Sequence, residues 1–201
     1  MIFKPIAFQG EEIEYINPTW DDMNVLAFDI AKKAFDKNLT FDRIITLAKG
    51  GWPMTRSLVD FLKVEKVASI GVNFYAGINE RLEKPRIYQD LPVSVVGENI
   101  LLFDDVADTG ESLLFVKDYL KSLGINSVST ATLFYKSHSR IKPDFYGSET
   151  DAWIVFPYDM VEMIDVLGGK WKMDGIEHNE LIERFRQLGF GEDVIQYYLE
   201  E

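Results

Sequence analysis

The chain has 201 residues, 27% of them charged, a formal net charge of −12 and no cysteine. The net acidity argues against a nucleic-acid-binding face, because phosphate backbones select basic surfaces. Without cysteine, disulfides, thiol catalysis and thiolate metal sites are excluded. No apolar run approaches the roughly 20 residues that a membrane helix needs, so no membrane partner is expected. The N-terminal residues lack a signal-peptide pattern, and a cytoplasmic location is the expectation.

Strand-like and helix-like patterns alternate along the chain, which predicts an α/β fold with a parallel sheet and a ligand site at the carboxyl ends of the strands. Thr19 followed by Asp21 and Asp22 is typical of a helix start. Residues 73–97 are polar and predict a long loop. The predicted strands are 12–16, 41–47, 67–72, 100–103 and 125–133, and the predicted helices are 19–38, one ending at 61, 113–123, 179–188 and 192–199.

The stretch 100–113 carries the strongest functional pattern. An apolar run at 100–103, typical of a strand buried on both faces, ends in Asp104 and Asp105. Asp108 and the segment 109–112 then lead into a helix, a geometry that presents free N–H groups to an anion. Acids at the strand end can accept hydrogen bonds from sugar hydroxyls, and Asp108 could take a proton. A buried strand with a polar turn and a helix cap is the alternative.

A second anion-site pattern follows the strand at 41–47. Its exit, Ala48-Lys49-Gly50-Gly51, places a lysine and two glycines at a strand-to-helix turn. Taken alone, the same residues also fit a plain tight turn.

The central stretch resembles the binding motif for phosphoribosyl pyrophosphate in the type I phosphoribosyltransferases: four apolar residues, two acids, three further residues, then Thr-Gly. The resemblance implies a twisted, mostly parallel sheet flanked by helices, with a small hood. It divides the chain into a phosphoribosyltransferase domain at 1–167, with a hood from 135–160 and the N-terminal segment, and a C-terminal helical hairpin extension at 168–201. It also implies magnesium as the cofactor.

The resemblance further implies a role for each residue of the two motifs. Asp104 and Asp105 would hold the ribose hydroxyls, and Asp108 would act as the general base. The pyrophosphate site would be Ala48, Lys49, Gly50 and Gly51, with Lys49 also catalytic and a cis peptide bond before it. The 5′-phosphate cradle would be Val106, Ala107, Thr109, Gly110, Glu111, Ser112 and Leu113. Glu111 departs from the basic or small residues of relatives, so only its backbone N–H is expected to contribute.

The hood region resembles that of the 6-oxopurine phosphoribosyltransferases, particularly the xanthine-guanine and archaeal types. The resemblance implies that Lys136 donates to the purine, that Trp153 stacks on it and that the backbone of Ile154 reads its edge. Asp159 would meet magnesium together with Asp104 and Asp105. A surface lysine and a core tryptophan are the alternatives.

Other polar residues of the chain have weaker assignments. The family has a flexible loop corresponding to 73–97, where Tyr75, Lys84 and Arg86 could meet pyrophosphate, or else form a solvated face. His138 is interpreted as a hood surface residue and His178 as lying near a helix start, neither well placed for catalysis.

The combined interpretation is a purine-salvage phosphoribosyltransferase that binds a purine base and phosphoribosyl pyrophosphate and forms a homodimer or homotetramer. Within enzymes, the base could instead be adenine. A regulator that senses phosphoribosyl pyrophosphate and binds DNA without catalysis is the alternative from another class. Such regulators usually need a basic region, and the net charge of −12 counts against one.

Overall fold

The computed structural model describes residues 3–75 and 84–199, which form two compact units. One unit comprises residues 23–151, and the other comprises residues up to 22 together with those from 152 onward. No helix in these described ranges is both long enough and apolar enough to cross a membrane.

The strands and helices follow one another along the chain as the alternating pattern predicts. The strands are β1 (Ile6–Ala7), β2 (Glu14–Ile16), β3 (Arg43–Ala48), β4 (Lys66–Tyr75), β5 (Lys84–Gln89), β6 (Asn99–Ala107), β7 (Ser127–Tyr135), β8 (Phe145–Glu149) and β9 (Trp153–Ile154). The helices are α1 (Trp20–Asp36), α2 (Trp52–Leu62), α3 (Glu111–Ser122), α4 (Met160–Met163), a π-helical turn (Ile164–Gly168), α5 (Gly169–Met173), α6 (His178–Gln187) and α7 (Glu192–Leu199).

The first unit is built on a six-stranded sheet in the order β5-β4-β3-β6-β7-β8. Every neighbouring pair is parallel except β4 and β5, which confirms the predicted mostly parallel sheet. From β3 the chain first adds β4 on one side and later places β6 on the other. The carboxyl ends of β3 and β6 therefore lie side by side where the strand order reverses, which is where α/β sheets bind ligands.

The segment 73–97, predicted as a loop, contains a strand that the sequence pattern did not reveal. β4 continues to Tyr75, and β5 pairs with it antiparallel at the edge of the sheet. Edge strands are often polar because one side faces solvent, so β5 lacks the apolar alternation that predicts a strand. The prediction of a loop is therefore wrong at 73–75 and at 84–89, where the structure has strands. Residues 76–83 lie outside the described residues.

The second unit has a three-stranded sheet in the order β1-β2-β9 and the helices from α4 onward. The hairpin of α6 and α7 confirms the two predicted C-terminal helices. These helices share one apolar core with β2 and with the π-helical turn. That core comprises Phe8, Tyr15, Val155, Met163, Ile164, Leu167, Trp171, Leu181, Phe185, Leu188, Phe190, Ile195 and Leu199.

The predicted domain boundary between residues 167 and 168 falls within a run of helical residues that extends from Met160 to Met173. The second compact unit begins at Ala152 on this side of the chain. A separate domain at 168–201 stays a prediction.

Candidate active site

Two acids occupy the carboxyl end of β6, where the sequence predicts ligand binding. The N–H of Asp105 donates to Oδ1 of Asp104 at 3.0 Å, and the N–H of Val106 donates to Oδ1 of Asp105 at 2.7 Å. Burial, and then repulsion from the Asp105 carboxylate, raises the pKa of Asp104 well above its ordinary value. A bound cation or hydroxyl donor would stabilise the ionised form of this carboxyl, because either replaces the lost solvation.

The turn after β3 carries the predicted pyrophosphate residues and lies against these acids. Its Ala48–Lys49 peptide bond is cis, as the resemblance implies. A Cβ at Gly50 would lie 2.5 Å from Cγ and 2.6 Å from Oδ1 of Asp105, so a larger residue does not fit without movement. The structure therefore brings the two predicted anion loops together at the neighbouring ends of β3 and β6.

The loop after β6 turns sharply into α3. Gly110 precedes the helix with a φ of +77°, a left-handed conformation that favours glycine. A Cβ there would also lie 2.5 Å from Oγ of Ser139. Because the first N–H groups of a helix have no partner within it, Ser112 and Leu113 offer donors to an anion, and Glu111 shares its N–H with Oγ1 of Thr109.

The remaining predicted cradle residues lie on either side of this turn. Val106 and Ala107 end β6, and Oγ1 of Thr109 accepts a 3.4 Å hydrogen bond from the N–H of Glu111. The side chain of Glu111 forms a 2.9 Å ion pair with Arg140, which directs its charge to that guanidinium.

The pairing of β6 with β7 explains why Lys136 lies beside Asp108. Ala107 is opposite Tyr135 in this parallel pair, and the N–H of Lys136 donates to O of Ala107 at 3.1 Å. The two residues that follow therefore meet, with Nζ of Lys136 3.5 Å from Oδ2 of Asp108. The Lys136 side chain is only 11% exposed. The predicted base-binding lysine and the predicted general base thus form one cluster.

His138 also belongs to this cluster, a contact that the sequence interpretation did not anticipate. Its ring is exposed, as predicted, but Nε2 lies 2.8 Å from Oδ1 of Asp108. On its other side, Nδ1 lies 3.8 Å from Oδ1 of Asp151. Hydrogen bonds from the Ser137 hydroxyl and N–H lower the pKa of Asp151. Lys136 and His138 lie in one turn after β7, in which the N–H of Ser139 donates to O of Lys136 at 3.0 Å.

The other predicted base contacts lie in the second unit. Trp153 and Ile154 form β9, opposite Tyr15 and Ile16 of β2. The Trp153 side chain is exposed, and its indole N–H donates to Sδ of Met163 at 3.3 Å, whereas Ile154 is buried. The stacking role of Trp153 and the edge-reading role of Ile154 stay predictions.

Two further sets of predicted contacts have separate positions in the fold. Asp159 precedes α4 as its N-cap residue, and its N–H donates to O of Phe156 at 3.1 Å. Arg86 is exposed on β5, whereas the side chains of Tyr75 and Lys84 lie outside the described residues. Their contacts with magnesium or pyrophosphate also stay predictions.

His178 is the first residue of α6, which confirms its predicted position near a helix start.

The donor chemistry of the β6 acids fits magnesium. Within residues 3–75 and 84–199, no three His, Asp or Glu side chains form a preassembled metal site. Magnesium in phosphate-handling sites, however, is usually held by one or two carboxylates together with substrate oxygens and water. Asp104 and Asp105 match that donor set, and a cation would relieve their mutual repulsion.

Comparison with known proteins identifies the family. Residues 16–162 match the phosphoribosyl transferase domain. A xanthine-guanine phosphoribosyltransferase of Gluconobacter oxydans is 25% identical over 151 residues, 74% of this chain and 87% of that protein. Another, from Idiomarina loihiensis, is 24% identical over 76% of this chain and 92% of that protein. A purine phosphoribosyltransferase structure from Pyrococcus horikoshii has a TM-score of 0.64 and 31% identity over 72% of this chain and 93% of that one. The chain belongs to the phosphoribosyl transferase domain family.

Proposed function

We propose that this protein transfers the 5-phosphoribosyl group of phosphoribosyl pyrophosphate to a 6-oxopurine in a magnesium-dependent reaction of purine salvage. The products are a nucleoside 5′-monophosphate and pyrophosphate. The observation that carries the proposal is the convergence of the β6 acids, the glycine turn after β3 and the Lys136–Asp108 pair at one end of the sheet. The names of the Gluconobacter and Idiomarina relatives support xanthine and guanine as bases.

Phosphoribosyl pyrophosphate would be bound through its three polar parts. The α3 N-terminus and the turn at Gly110 suit the 5′-phosphate, since N–H groups and the helix dipole favour an anion. Asp104 and Asp105 accept hydrogen bonds from the ribose hydroxyls. Lys49 and the amide of Gly50 hold the pyrophosphate, next to Asp105, against which Gly50 packs. The N–H of Gly51, predicted to join them, donates instead to O of Leu47 at 3.1 Å.

Asp104 and Asp105 would hold magnesium, with Asp159 as a further predicted ligand. When bound, the metal would neutralise negative charge on the departing pyrophosphate. Lys49 adds a positive charge from the turn after β3. Displacement at ribose C1′ proceeds through a cation-like transition state, as in other glycosyl transfers. Carboxylates beside the sugar favour such a developing positive charge.

The Lys136–Asp108 pair would act on the base. The Lys136 ammonium donates to the purine 6-oxo group, while Asp108 accepts the proton from N7 as N9 attacks C1′. Nζ lies 3.5 Å from Oδ2 of Asp108, so the group that donates to the base and the group that accepts its proton lie side by side. Stacking on Trp153 and backbone contacts from Ile154 would complete base recognition.

An activity panel tests the proposal. The purified protein is incubated with magnesium, phosphoribosyl pyrophosphate and hypoxanthine, guanine, xanthine, adenine, uracil or orotate, and nucleotide formation is measured by chromatography. Nucleotides from the 6-oxopurines alone are the expected result. Product from adenine alone would keep the reaction and overturn the base specificity. Tight binding of phosphoribosyl pyrophosphate without any product would contradict an enzyme and favour a sensor.

The quaternary structure stays a prediction, with a homodimer or homotetramer expected. Sedimentation equilibrium at assay concentration measures the molecular mass in solution, and the mass of a monomer would contradict this prediction.

A further inference from the structure

We infer that His138 is a positioning residue for proton transfer: its imidazole takes up from Asp108 the proton that leaves the purine. The inference rests on the proposed function, in which Asp108 accepts that proton. It adds a second step to the transfer, by which the general base is restored within the same turnover.

The two neighbours of Asp108 contact different oxygens of its carboxylate. Nε2 of His138 lies 2.8 Å from Oδ1, a hydrogen-bond distance, whereas Nζ of Lys136 lies 3.5 Å from Oδ2. One carboxylate oxygen therefore has a proton-transfer partner, while the other has a charge that holds the group in place. A lysine ammonium carries no lone pair and cannot take a proton, but a neutral imidazole can.

The position of the ring suits exchange with solvent. The side chain of His138 is 56% exposed, so it is not placed there by core packing. A base bound at Asp108 would cover the face of the carboxylate that it contacts. Because it is both exposed and within hydrogen-bond distance of Oδ1, the imidazole then offers the proton a route to water.

The direction of transfer follows from proton affinity. A free imidazole binds a proton more tightly than a free carboxylate does by roughly two to three powers of ten. The charged groups that face the ring are Asp108 on one side and Asp151 on the other. Lys136 faces Asp108 from the end of the next strand.

The transfer balances without any further reactant. The purine N7–H bond breaks and an O–H bond forms on Asp108. In the starting state the neutral ring carries its proton on Nδ1, the nitrogen on the side of Asp151, so that Nε2 keeps a lone pair toward Asp108. The new O–H bond on Asp108 then breaks as the proton moves to Nε2, and the ring becomes an imidazolium with a proton on each nitrogen. The imidazolium releases the proton to water, and both side chains regain their starting states.

Glutamine and alanine variants distinguish proton transfer from hydrogen bonding alone. The amide of His138→Gln can donate a hydrogen bond to Asp108, but it cannot carry a proton, and His138→Ala can do neither. The matched control is His178→Gln, since His178 is the second of the two histidines and begins α6 in the other unit. We expect both His138 variants to lose kcat about tenfold to a hundredfold, with the KM for phosphoribosyl pyrophosphate changed less than about twofold.

Two further readouts exclude a merely structural role. Added imidazole is expected to restore kcat of His138→Ala, but not of His138→Gln, whose side chain fills the site. In the wild type, kcat is expected to fall as the pH is lowered, since a protonated ring cannot accept a proton. His138→Gln is expected to lack this fall.

The outcomes separate the inference from the proposed function. A wild type without nucleotide formation from any base overturns the proposed function, and the inference with it. An active wild type together with His138→Gln at unchanged kcat, or with an unchanged acid limb in that variant, overturns the inference and leaves the proposed function intact. Loss of kcat in both variants, rescue by imidazole and a normal His178→Gln support it.

Discussion

The ionisation of Asp104 links the chemistry of the site to the stability of the protein. Its pKa is raised in the folded state by burial and by Asp105, so folding disfavours the charged form. Stability is therefore lost as pH rises from the ordinary range of a carboxyl group through the raised value, and it is regained below that range. A bound cation would offset this loss of folding stability, because it stabilises the ionised form of Asp104.

Substitution of Asp104 should separate stability from activity. Asp104→Asn keeps the Oδ1 acceptor for the N–H of Asp105 and removes the buried charge. We expect a higher Tm than wild type at pH 8 without magnesium, by about 2–4 °C for each kcal/mol gained in a chain of this size. The difference should vanish near pH 4, and activity should be lost. Calorimetry across this pH range measures the Tm of both proteins. A wild type with the higher Tm at pH 8 would contradict the expectation.

Substitution of Asp108 tests its role as proton acceptor. Asp108→Asn preserves the shape of the side chain but cannot take a proton. We expect kcat to fall by about two orders of magnitude or more, with the KM for phosphoribosyl pyrophosphate changed less than about threefold. Steady-state kinetics with guanine measures both constants. An equal loss in turnover and in binding of phosphoribosyl pyrophosphate would remove the proton-transfer role.

Substitution of Lys136 tests base recognition. Lys136→Ala removes a buried ammonium, and the loss of a charged hydrogen bond to the 6-oxo group should lower kcat/KM for guanine by about tenfold to a hundredfold. The KM for phosphoribosyl pyrophosphate should change little. Lys121→Ala, at an exposed position on α3, is the control. Unchanged guanine kinetics in Lys136→Ala would show that the lysine does not contact the base.

At the scale of elements, the site depends on how closely the turn after β3 approaches the end of β6. Gly50 allows that approach because its missing side chain leaves room for the carboxyl of Asp105. The strand order places the two ends side by side, and the register of β6 with β7 adds Lys136 to the same edge. The spacing between these elements is therefore a condition for activity.

A methyl group at Gly50 should disturb this spacing. In Gly50→Ala the Cβ would overlap the Asp105 carboxyl, so the turn or the acid must move, and we expect kcat/KM to fall by about two orders of magnitude. Gly191→Ala is the matched control, since nothing lies within 4 Å of its Cβ position. Thermal unfolding shows whether each variant still folds. Activity of Gly50→Ala within about threefold of wild type would mean that the close approach is dispensable.

Sequence patterns predicted the elements on which the site depends, and they failed where an element has no apolar period. The run at 100–103 and the glycines at 50 and 51 predicted β6 and the turn after β3, because buried strands and anion loops have distinctive compositions. The strand β5 was missed because a polar edge strand resembles a loop in composition. The contact of His138 with Asp108 was missed because the two residues are 30 positions apart and only strand pairing unites them.

At the scale of the whole molecule, a buried charge connects distant parts of the chain within the second unit. Glu11 lies in the N-terminal segment, and its side chain is only 6% exposed. It accepts hydrogen bonds from Arg184 of α6 at 2.8 Å, from the indole of Trp171 and from the hydroxyl of Tyr15. The guanidinium of Arg184 also packs over the ring of Trp171. The C-terminal helices are thereby joined to the beginning of the chain.

Removal of Arg184 should weaken this unit. In Arg184→Met the Glu11 carboxylate stays buried and keeps Lys170, 3.3 Å from Oε2, as a charged partner. Breaking a buried pair costs about 3–5 kcal/mol of the free energy of unfolding when no partner remains, so we expect a loss below that range. Arg186→Met is the control, because its partners Glu183 and Glu192 are exposed and little change is expected. Urea unfolding measures both variants. Equal stability of the two would show that the buried pair contributes no more than a surface pair.

The sequence by itself determined the fold class, the two turns predicted to bind anions and the family resemblance. These properties are local, since composition, apolar period and motif spacing can each be read from a short run of consecutive residues. Tertiary structure decided which of those residues meet. The strand order placed Gly50 against Asp105, the register of β6 with β7 placed Lys136 and His138 against Asp108, and burial raised the pKa of Asp104. Such contacts depend on the pairing of segments far apart in the chain, and desolvation exists only once they have packed.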